Sequence, residues 1–538
     1  MSRQSVGLHD RGPELVREVL LERGWEEYDE GEREEEDWNL YWRGSGFRSS
    51  EYLNLLPWQR LNHHPKTLGI TRKDCLARNL RRMRATFGSA LYGFSPTTFI
   101  LPNDYGRFLA EYSRLRLVRG LSAYWICKPV DLSRGRGIFI FEDMKDLVYD
   151  CSVIVQRYVS NPLLISGYKF DLRIYVCVKS FHPLTVYIHQ EGLVRFSTEK
   201  YNLSSLRNLY AHLTNTSINK FGPFYNINKG QVGQGCKWTM SKFRHFLRSQ
   251  DIDELLLWQR ISNVVTLTLL TIAPSVPSCP NCVELFGFDI LIDVRFKPWL
   301  LEVNYSPALT LDCQVDFTVK KGLISDLIDL MNYTSIDRLR ERAYQKHKHF
   351  INIKQPKVQR GRTNNRSSSP QTLPQLRRMN HRPSRQTTFI PDCQRHLPPV
   401  DTKQAARIIN SGATRTHSDL NLILGPHSRT NMSVPAQEIT ASNEQDVPPI
   451  RVGDFIRTFP FNTATLKASQ HKLDVATIVQ ELHKLTNQAA ASGQSEKKTK
   501  WRREEEEEEV KKDTEEDFDS LLWGPKDPPL LRHCFRST

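Results

Sequence analysis

The sequence has little in it to staple or to anchor a fold. Its ten cysteines are scattered along 538 residues, which suits a reducing compartment better than a disulfide framework. Cys279-Pro-Asn-Cys282 is the one CxxC; with no second pair or histidine partner nearby, it reads as a loop rather than a zinc or redox centre. No stretch approaches about 18 consecutive apolar residues, which argues against a membrane-crossing helix. The start, MSRQSVGLHDRGPELV, lacks the apolar core of a signal peptide. Apolar residues are scarce at 39%, and the 29 prolines are unevenly spread. Both features point to one sizeable folded region beside a substantial disordered portion.

What the chain has in excess is positive charge. A net charge of +15 implies an acidic partner, and nucleic acid, an anionic membrane and an acidic protein surface fit it equally. No zinc-finger, RNA-recognition or basic-zipper signature accompanies the charge.

Composition divides the chain in three. Residues 1–37 form a polar, acidic leader expected to be solvated, and residues 38–345 carry dense aromatics and apolar patterning. Residues 346–538 are expected to be a mostly disordered tail, basic at its start and acidic at its end in WRREEEEEEVKKDTEED. Within the folded region TRKDCLARNLRRMRATFG predicts a helix with Thr71 as N-cap and Asp74 in a capping-box position. It holds six basic residues from Arg72 to Arg84 against one acidic residue. Such a helix is either a solvated face or a docking surface for an acidic partner. Residues 338–366 add ten Lys/Arg against one Glu, a local charge of +9. A short helix is expected around VATIVQELHKLTNQ, and no internal repeat is evident.

Four stretches place polar groups where burial would normally forbid them. In WICKPVDLSRGRGIFIF a strand ends at Lys128-Pro129, and a basic loop with Gly135 and Gly137 leads into a returning strand. Such a loop can lay backbone N–H groups and cations over phosphates, although a glycine-containing hairpin accounts for it equally well. SVIVQRYVSNP is an apolar strand whose end, Gln156 to Val159, could read an adenine edge or be a plain buried strand. In YKFDLRIYVCV period-two alternation puts Lys169, Asp171 and Arg173 on one face, opposite Phe170, Leu172 and Ile174. Two cations flanking a carboxylate on a covered strand suggest a phosphate or carboxylate site.

The fourth stretch, VELFGFDILIDVRFKPWLLEVNYSPAL, reads as strands 284–293 and 298–304 joined by a turn from Val294 to Lys297. Alternation groups Leu300, Glu302 and Asn304 on one face and Trp299, Leu301 and Val303 on the other. An antiparallel hairpin then sets Asp289 opposite Glu302 and Asn304. Burying those carboxylates without a cation would be costly, and an all-oxygen donor set without His or Cys suits Mg²⁺ beside nucleotide phosphates. Between these stretches, YIHQEGLVRFST reads as a hairpin turning at Glu191-Gly192 and presenting Arg195. HLTNTSINK supplies Thr214, Asn215, Ser217 and Lys220.

Taken in order, WICKP…RGRGI, QRYVSNPLLISGYKFDLRIYV, GLVRFS, HLTNTSINK and FGFDILID…KPWLLEVNYSPAL resemble the tubulin tyrosine ligase-like family over roughly residues 50–345. The resemblance implies an α+β, ATP-grasp-like catalytic region followed by the long disordered tail. It also implies ATP and Mg²⁺ as cofactors. Lys128, Arg134 and Gly135 would meet the phosphates, and Gln156, Arg157, Tyr158 and Val159 would border adenine. Lys169, Phe170 and Asp171 match a further nucleotide block, and Thr214 and Asn215 lie near phosphates and metal. Arg173 would face the phosphates or the acceptor carboxylate, making it a catalytic candidate with Lys128. Asp289, Glu302 and Asn304 match the magnesium ligands, while Arg195, Ser217, Lys237 and Lys320 fall where polyglutamylases hold free glutamate.

The activity implied is ATP-dependent polyglutamylation. Glutamate would be joined by isopeptide bonds to side-chain carboxylates of acidic tubulin tails, through an acylphosphate. A tyrosine or glycine ligase of the same family, or a non-catalytic microtubule-binding protein, is the alternative. The basic helix and the +9 segment would attract the acidic tails. Expected partners are therefore tubulin or microtubules, free L-glutamate and accessory proteins, with no nucleic acid and no membrane span. The expected location is the cytoplasm and cytoskeleton, including cilium or flagellum basal bodies.

Overall fold

In the computed structural model the described residues are 5–8, 12–29, 38–119, 123–225, 232, 236–332, 447–470 and 472–484. Three sheets form in chain order. The first holds β1 (Ser5–Leu8), β2 (Glu26–Glu27), β3 (Leu40–Trp42) and β4 (Arg60–Leu61), all parallel, in the order β2-β1-β3-β4. The second holds β5 (Thr98–Leu101), β6 (Trp125–Pro129), β7 (Phe139–Phe141) and β8 (Val153–Arg157), antiparallel, in the order β5-β8-β6-β7.

The third and largest sheet is built on one long strand. Around β10 (Tyr168–Phe181) gather β9 (Leu164–Ile165), β11 (Leu184–His189), β12 (Leu193–Lys200), β13 (Lys237–Thr239) and β14 (Glu284–Ile292). β15 (Pro298–Asn304), β16 (Arg451–Val452) and β17 (Phe455–Phe459) complete it. Its strands are rich in Val, Ile, Leu and aromatics, and all nine residues of β14 are buried, as a strand covered on both faces requires. β10 alternates as expected. Phe170, Leu172, Ile174, Val176 and Val178 join one core, while Tyr175 and Cys177 join another on the opposite face.

The first core is closed by helices Lys73–Phe87, Met240–Ser249 and Glu254–Leu270, and the second by helices Glu14–Glu22 and Gln314–Met331. Glu254–Ser275 is long and apolar enough to cross a membrane, at mean hydropathy 1.4, which the count of consecutive apolar residues did not register. However, 83% of its apolar window is buried inside the protein, so it serves as a core helix.

Several local expectations are corrected. β11 and β12 do not form a hairpin with each other: β12 pairs with the first half of β10 and β11 with the second, because β10 is long enough to take both. The helix at Lys73–Phe87 is preceded by a separate turn, Leu68–Thr71, and its N-cap is Arg72 instead of Thr71. Asp74 is engaged by Arg72 and Arg78 at 2.7 and 2.6 Å. The leader is not simply solvated, since Leu15, Val16, Val19, Leu20 and Trp25 are buried in the second core. Arg23 ties helix Glu14–Glu22 to Asp329 at 2.6 Å.

Most of the segment expected to be a disordered tail lies outside the described residues. The part within them is folded. β17 adds to the edge of β11, and residues 475–484 are helical, with Ile478, Val479 and Leu482 in the first core. At Gly453 (φ +55°) the Asp326 carboxylate occupies the space a Cβ would need, so a side chain there would be strained and would displace Asp326. Asp326 also accepts the Asp454 N–H at 2.7 Å.

Candidate active site

A cleft opens between the second sheet and the charged face of the third. The strand register builds that face. Lys237, Arg195 and Asp171 lie side by side across β13, β12 and β10, and Arg173, Asp289 and Glu302 across β10, β14 and β15. A β-bulge falls between Asp289 and Ile290 on one strand and Glu302 and Leu300 on the other. It breaks the expected alternation. Leu300 turns into the core, while Leu301 and Glu302 both line the cleft.

Arg173 donates to Asp289 at 2.6 and 3.1 Å, and Arg195 donates to Asp171 at 2.9 and 2.5 Å while lying 2.9 Å from Asp289. Burial alone would push the Asp289 carboxyl up, yet these two guanidiniums hold it well below the usual carboxylate range. Glu302 is raised by burial and then by the neighbouring Asp289 charge, which outweigh the opposing pull of Lys128 and Lys73. Asn304 donates to Asp289 at 3.2 Å. Two carboxylates and an amide that converge, with one carboxylate raised by the other, are a donor set that a hard divalent cation fits.

Across the cleft, Lys128 on β6 is buried, and its ammonium donates to Gln156 Oε1 at 2.9 Å. Burial lowers it to about 8, against the pull of Glu302 and Asp289. Lys169 donates to Tyr158 Oη and to the His212 carbonyl, both at 2.9 Å, and burial lowers it to about 7. The Gly loop is held in left-handed backbone at Arg134, Gly135 and Gly137 (φ 60°, 77° and 68°). Ile218 packs so closely on Gly135 that a Cβ there would force the Ile218 side chain to shift.

Most of the residues singled out in the sequence come together here. Lys128, Arg134, Gly135, Gln156, Arg157, Tyr158, Val159, Lys169, Asp171, Thr214, Asn215, Asp289 and Glu302 all line the cleft. Phe170 does not: alternation along β10 sends it into the core against Phe196 and Phe243. Arg173 does not line it either; it is buried, with two of its nitrogens donating to Asp289. Ser217 donates to the Arg134 carbonyl at 2.9 Å and so fastens the Gly loop.

Lys237 and Lys320 meet at buried Asp316, at 2.6 and 2.8 Å, with Lys237 cross-strand from Arg195. Of the four residues expected to hold glutamate, three thus share one region and Ser217 stands apart. Residues not singled out also belong to the cleft. Lys73 lines it and donates to the Leu132 carbonyl at 2.6 Å, and His212 Nδ1 lies 3.0 Å from Tyr158 Oη. His212 opens the stretch HLTNTSINK, whose polar run was the available signal; nothing in the sequence marked Lys73.

Each cation of the basic helix has an acceptor within the chain, while Arg72 and Arg78 stay partly exposed. Arg72 pairs with Asp74 and Asp131, Lys73 with the Leu132 carbonyl, Arg78 with Asp74 and Arg81 with Asp104. Arg82 donates to the Thr271 carbonyl and Arg84 to those of Tyr92 and Ser95. All six cations have internal acceptors.

Against this geometry, the sequence profile described as the tubulin-tyrosine ligase family matches residues 49–341. The chain belongs to that family. It is 48% identical over 496 residues to the probable tubulin polyglutamylase TTLL2 of Homo sapiens, covering 88% of this chain and 83% of that protein. The Mus musculus protein of the same name is 45% identical over 88% of this chain and 90% of its own length. Tubulin polyglutamylase TTLL5 of Mus musculus is 36% identical over 60% of this chain and 24% of its own. Membership implies an ATP-dependent ligase, and the mixed helix-and-sheet fold carries its ligase domain.

Proposed function

We propose that this family member is a tubulin polyglutamylase that holds ATP in an ATP-grasp-like cleft and joins free glutamate to glutamate side chains of tubulin tails. The observation that carries the reading is that buried Lys128 and Lys169 line one cleft with Asp289 and Glu302, with Asn304 hydrogen-bonded to Asp289. Relatives that are named tubulin polyglutamylases support the substrate.

Phosphorylation of the acceptor carboxylate by ATP gives an acylphosphate. The amine of glutamate then attacks, forming the isopeptide bond and releasing ADP and phosphate. Lys128, with Arg134 and the loop at Gly135, binds the phosphates and stabilises their developing charge. Gln156 orients Lys128, and the strand end from Arg157 to Val159 borders adenine. Lys169 and Asp171 bind the nucleotide nearby, with Thr214 and Asn215 close to its phosphates. Asp289, Glu302 and Asn304 would hold Mg²⁺, which when bound neutralises charge on the β- and γ-phosphates. Arg173 is a positioning residue that keeps Asp289 ionised and aimed.

Arg195, Lys237 and Lys320 form the cationic side of the glutamate site. Among the described contacts Arg195 Nη1 is unused, which leaves it to a substrate carboxylate.

The catalytic unit comprises residues 38–345 joined by the docked parts of the leader and of residues 447–484. Attraction to acidic tails falls to the +9 segment at 338–366, outside the described residues. Accessory proteins supplement it, so the isolated chain acts weakly. Its location follows its substrate: the cytoplasm, on microtubules, including those of cilia and basal bodies. The test supplies purified chain, ATP and microtubules with labelled glutamate, glycine or tyrosine separately. Glutamate alone should be incorporated, and incorporation of glycine or tyrosine without glutamate would overturn the proposal.

A further inference from the structure

The turn Cys279-Pro-Asn-Cys282 leads into β14 and takes no part in the cleft. Its two sulfurs lie 2.8 Å apart. They differ in access: Cys279 is partly exposed and Cys282 is fully buried. The turn is a rigid mount. The Cys282 N–H donates to the Cys279 carbonyl at 3.2 Å, and the Asn281 amide donates to the carbonyls of Leu56 and Gln59 at 2.9 and 2.8 Å. On either side, the Leu61 N–H reaches the Asn281 carbonyl at 2.9 Å and the Val283 N–H reaches that of Leu61 at 3.0 Å. Among the described residues no third metal-ligating group converges on the sulfurs, and structural zinc takes four ligands.

The two thiols share a hydrogen bond. Contact with Cys282 and the Asn281 backbone N–H hold the Cys279 thiol below its usual value, against its partial burial. The Cys279 contact and burial push Cys282 up. A partly exposed cysteine backed by a fully buried one is the division of labour that disulfide exchange requires.

We propose that Cys279 and Cys282 form a thiol–disulfide exchange site for small disulfides of the oxidised-glutathione class. The Cys279 thiolate attacks one sulfur of the disulfide, whose S–S bond breaks and releases one glutathione thiolate. Cys282 gives up its proton to that leaving thiolate and attacks the Cys279 sulfur, forming the intramolecular bond. Cys279 released its proton to solvent on forming the thiolate, and the second glutathione thiolate, once expelled, takes one proton back from solvent. Two protein thiols are oxidised and one disulfide is reduced to two thiols. The closed form covalently locks the turn from which the Asp289-bearing strand starts.

The test equilibrates the full chain in graded mixtures of reduced and oxidised glutathione, quenches with acid, alkylates and maps peptides by mass. The peptide holding both cysteines should lose its two alkyl groups together, at a more reducing mixture than the one that modifies exposed Cys151. Cys282→Ser should accumulate glutathione on Cys279, and Cys279→Ser should carry none on Cys282. The proposal is overturned if the wild-type peptide stays doubly alkylated in the most oxidising mixture. It is also overturned if Cys151 reacts as readily, or if glutathione appears on Cys282 in Cys279→Ser. The wild-type measurement stands without either variant.

Discussion

Arg173 and Asp289 face each other across the β10–β14 pair, the guanidinium holding the carboxylate through hydrogen bonds of 2.6 and 3.1 Å. Asp289 is thereby the anchor of a buried charge network as well as a candidate metal ligand, whereas Glu302 beside it makes no direct ion pair among the described residues. Asp289→Asn should therefore unsettle the fold, because breaking a buried ion pair costs about 3–5 kcal/mol. Glu302→Gln should keep the fold and lose at least about 100-fold in glutamate incorporation. Thermal melting beside an incorporation assay separates the two; equal melting losses would refute the distinction.

The Gly loop depends on having no side chain at one position. Gly135→Ala meets Ile218 and sits at φ 77°, a left-handed conformation that costs a Cβ-bearing residue about 1–2 kcal/mol. KM for ATP should rise about tenfold with little change in melting temperature. Adding Ile218→Ala should recover part of the loss, since it removes the clash and leaves the dihedral strain. Steady-state kinetics of the single and double variants provide the check.

Lys169 should make nucleotide binding pH-dependent. Folding lowers its pKa from 10.5 to about 7, chiefly by burial. The unfolded chain binds the extra proton between those values, so this group makes stability rise with pH across that window and level off above it. A bound nucleotide's phosphates favour the charged form, so ATP affinity should fall as pH climbs through about 7. Calorimetric titration of a non-hydrolysable ATP analogue from pH 6 to 9 tests this, and Lys169→Met should flatten the profile.

Residues 447–484 behave as part of the core. Ending the chain at residue 446 would remove Phe455, Ile456, Phe459 and Ile478, all fully or almost fully buried, and expose the core they cover. Each such side chain contributes about 1.5–3 kcal/mol, so the truncated protein should melt far lower or aggregate. Ending it at residue 484 should leave melting unchanged. Calorimetry on both truncations decides the matter.

The basic helix and the basic segment should respond oppositely to neutralisation. Arg84→Ala removes donors from the Tyr92 and Ser95 carbonyls and should cost about 1–3 kcal/mol of stability, with microtubule co-sedimentation unchanged. Neutralising the Lys/Arg of residues 338–366 should weaken co-sedimentation and its dependence on salt, with melting unchanged.

The oxygen-donor site was legible in sequence because two signals coincided there. Alternation named the face, and a short turn set the register that brings Asp289 to Glu302. Lys169, Asp171 and Arg173 were legible as one charged face for the same reason, and so was the helix within residues 475–488. Periodicity reports which side chains are buried, and it is silent on what they are buried against. For that reason the pairing of β11 and β12 with β10, the docking of β17 and the inclusion of Leu15 to Trp25 in the core were decided only in three dimensions. The bulge that turns Leu301 toward the cleft was decided there too. The same holds for charge: six cations on one helix are plain in sequence, but whether they face solvent or internal acceptors depends on neighbours brought from Thr98, Asp131 and Thr271. The sequence by itself determined the chemistry on offer. The tertiary structure decided which charges remain free to use it, because a buried cation is held by whatever acceptor the packing delivers.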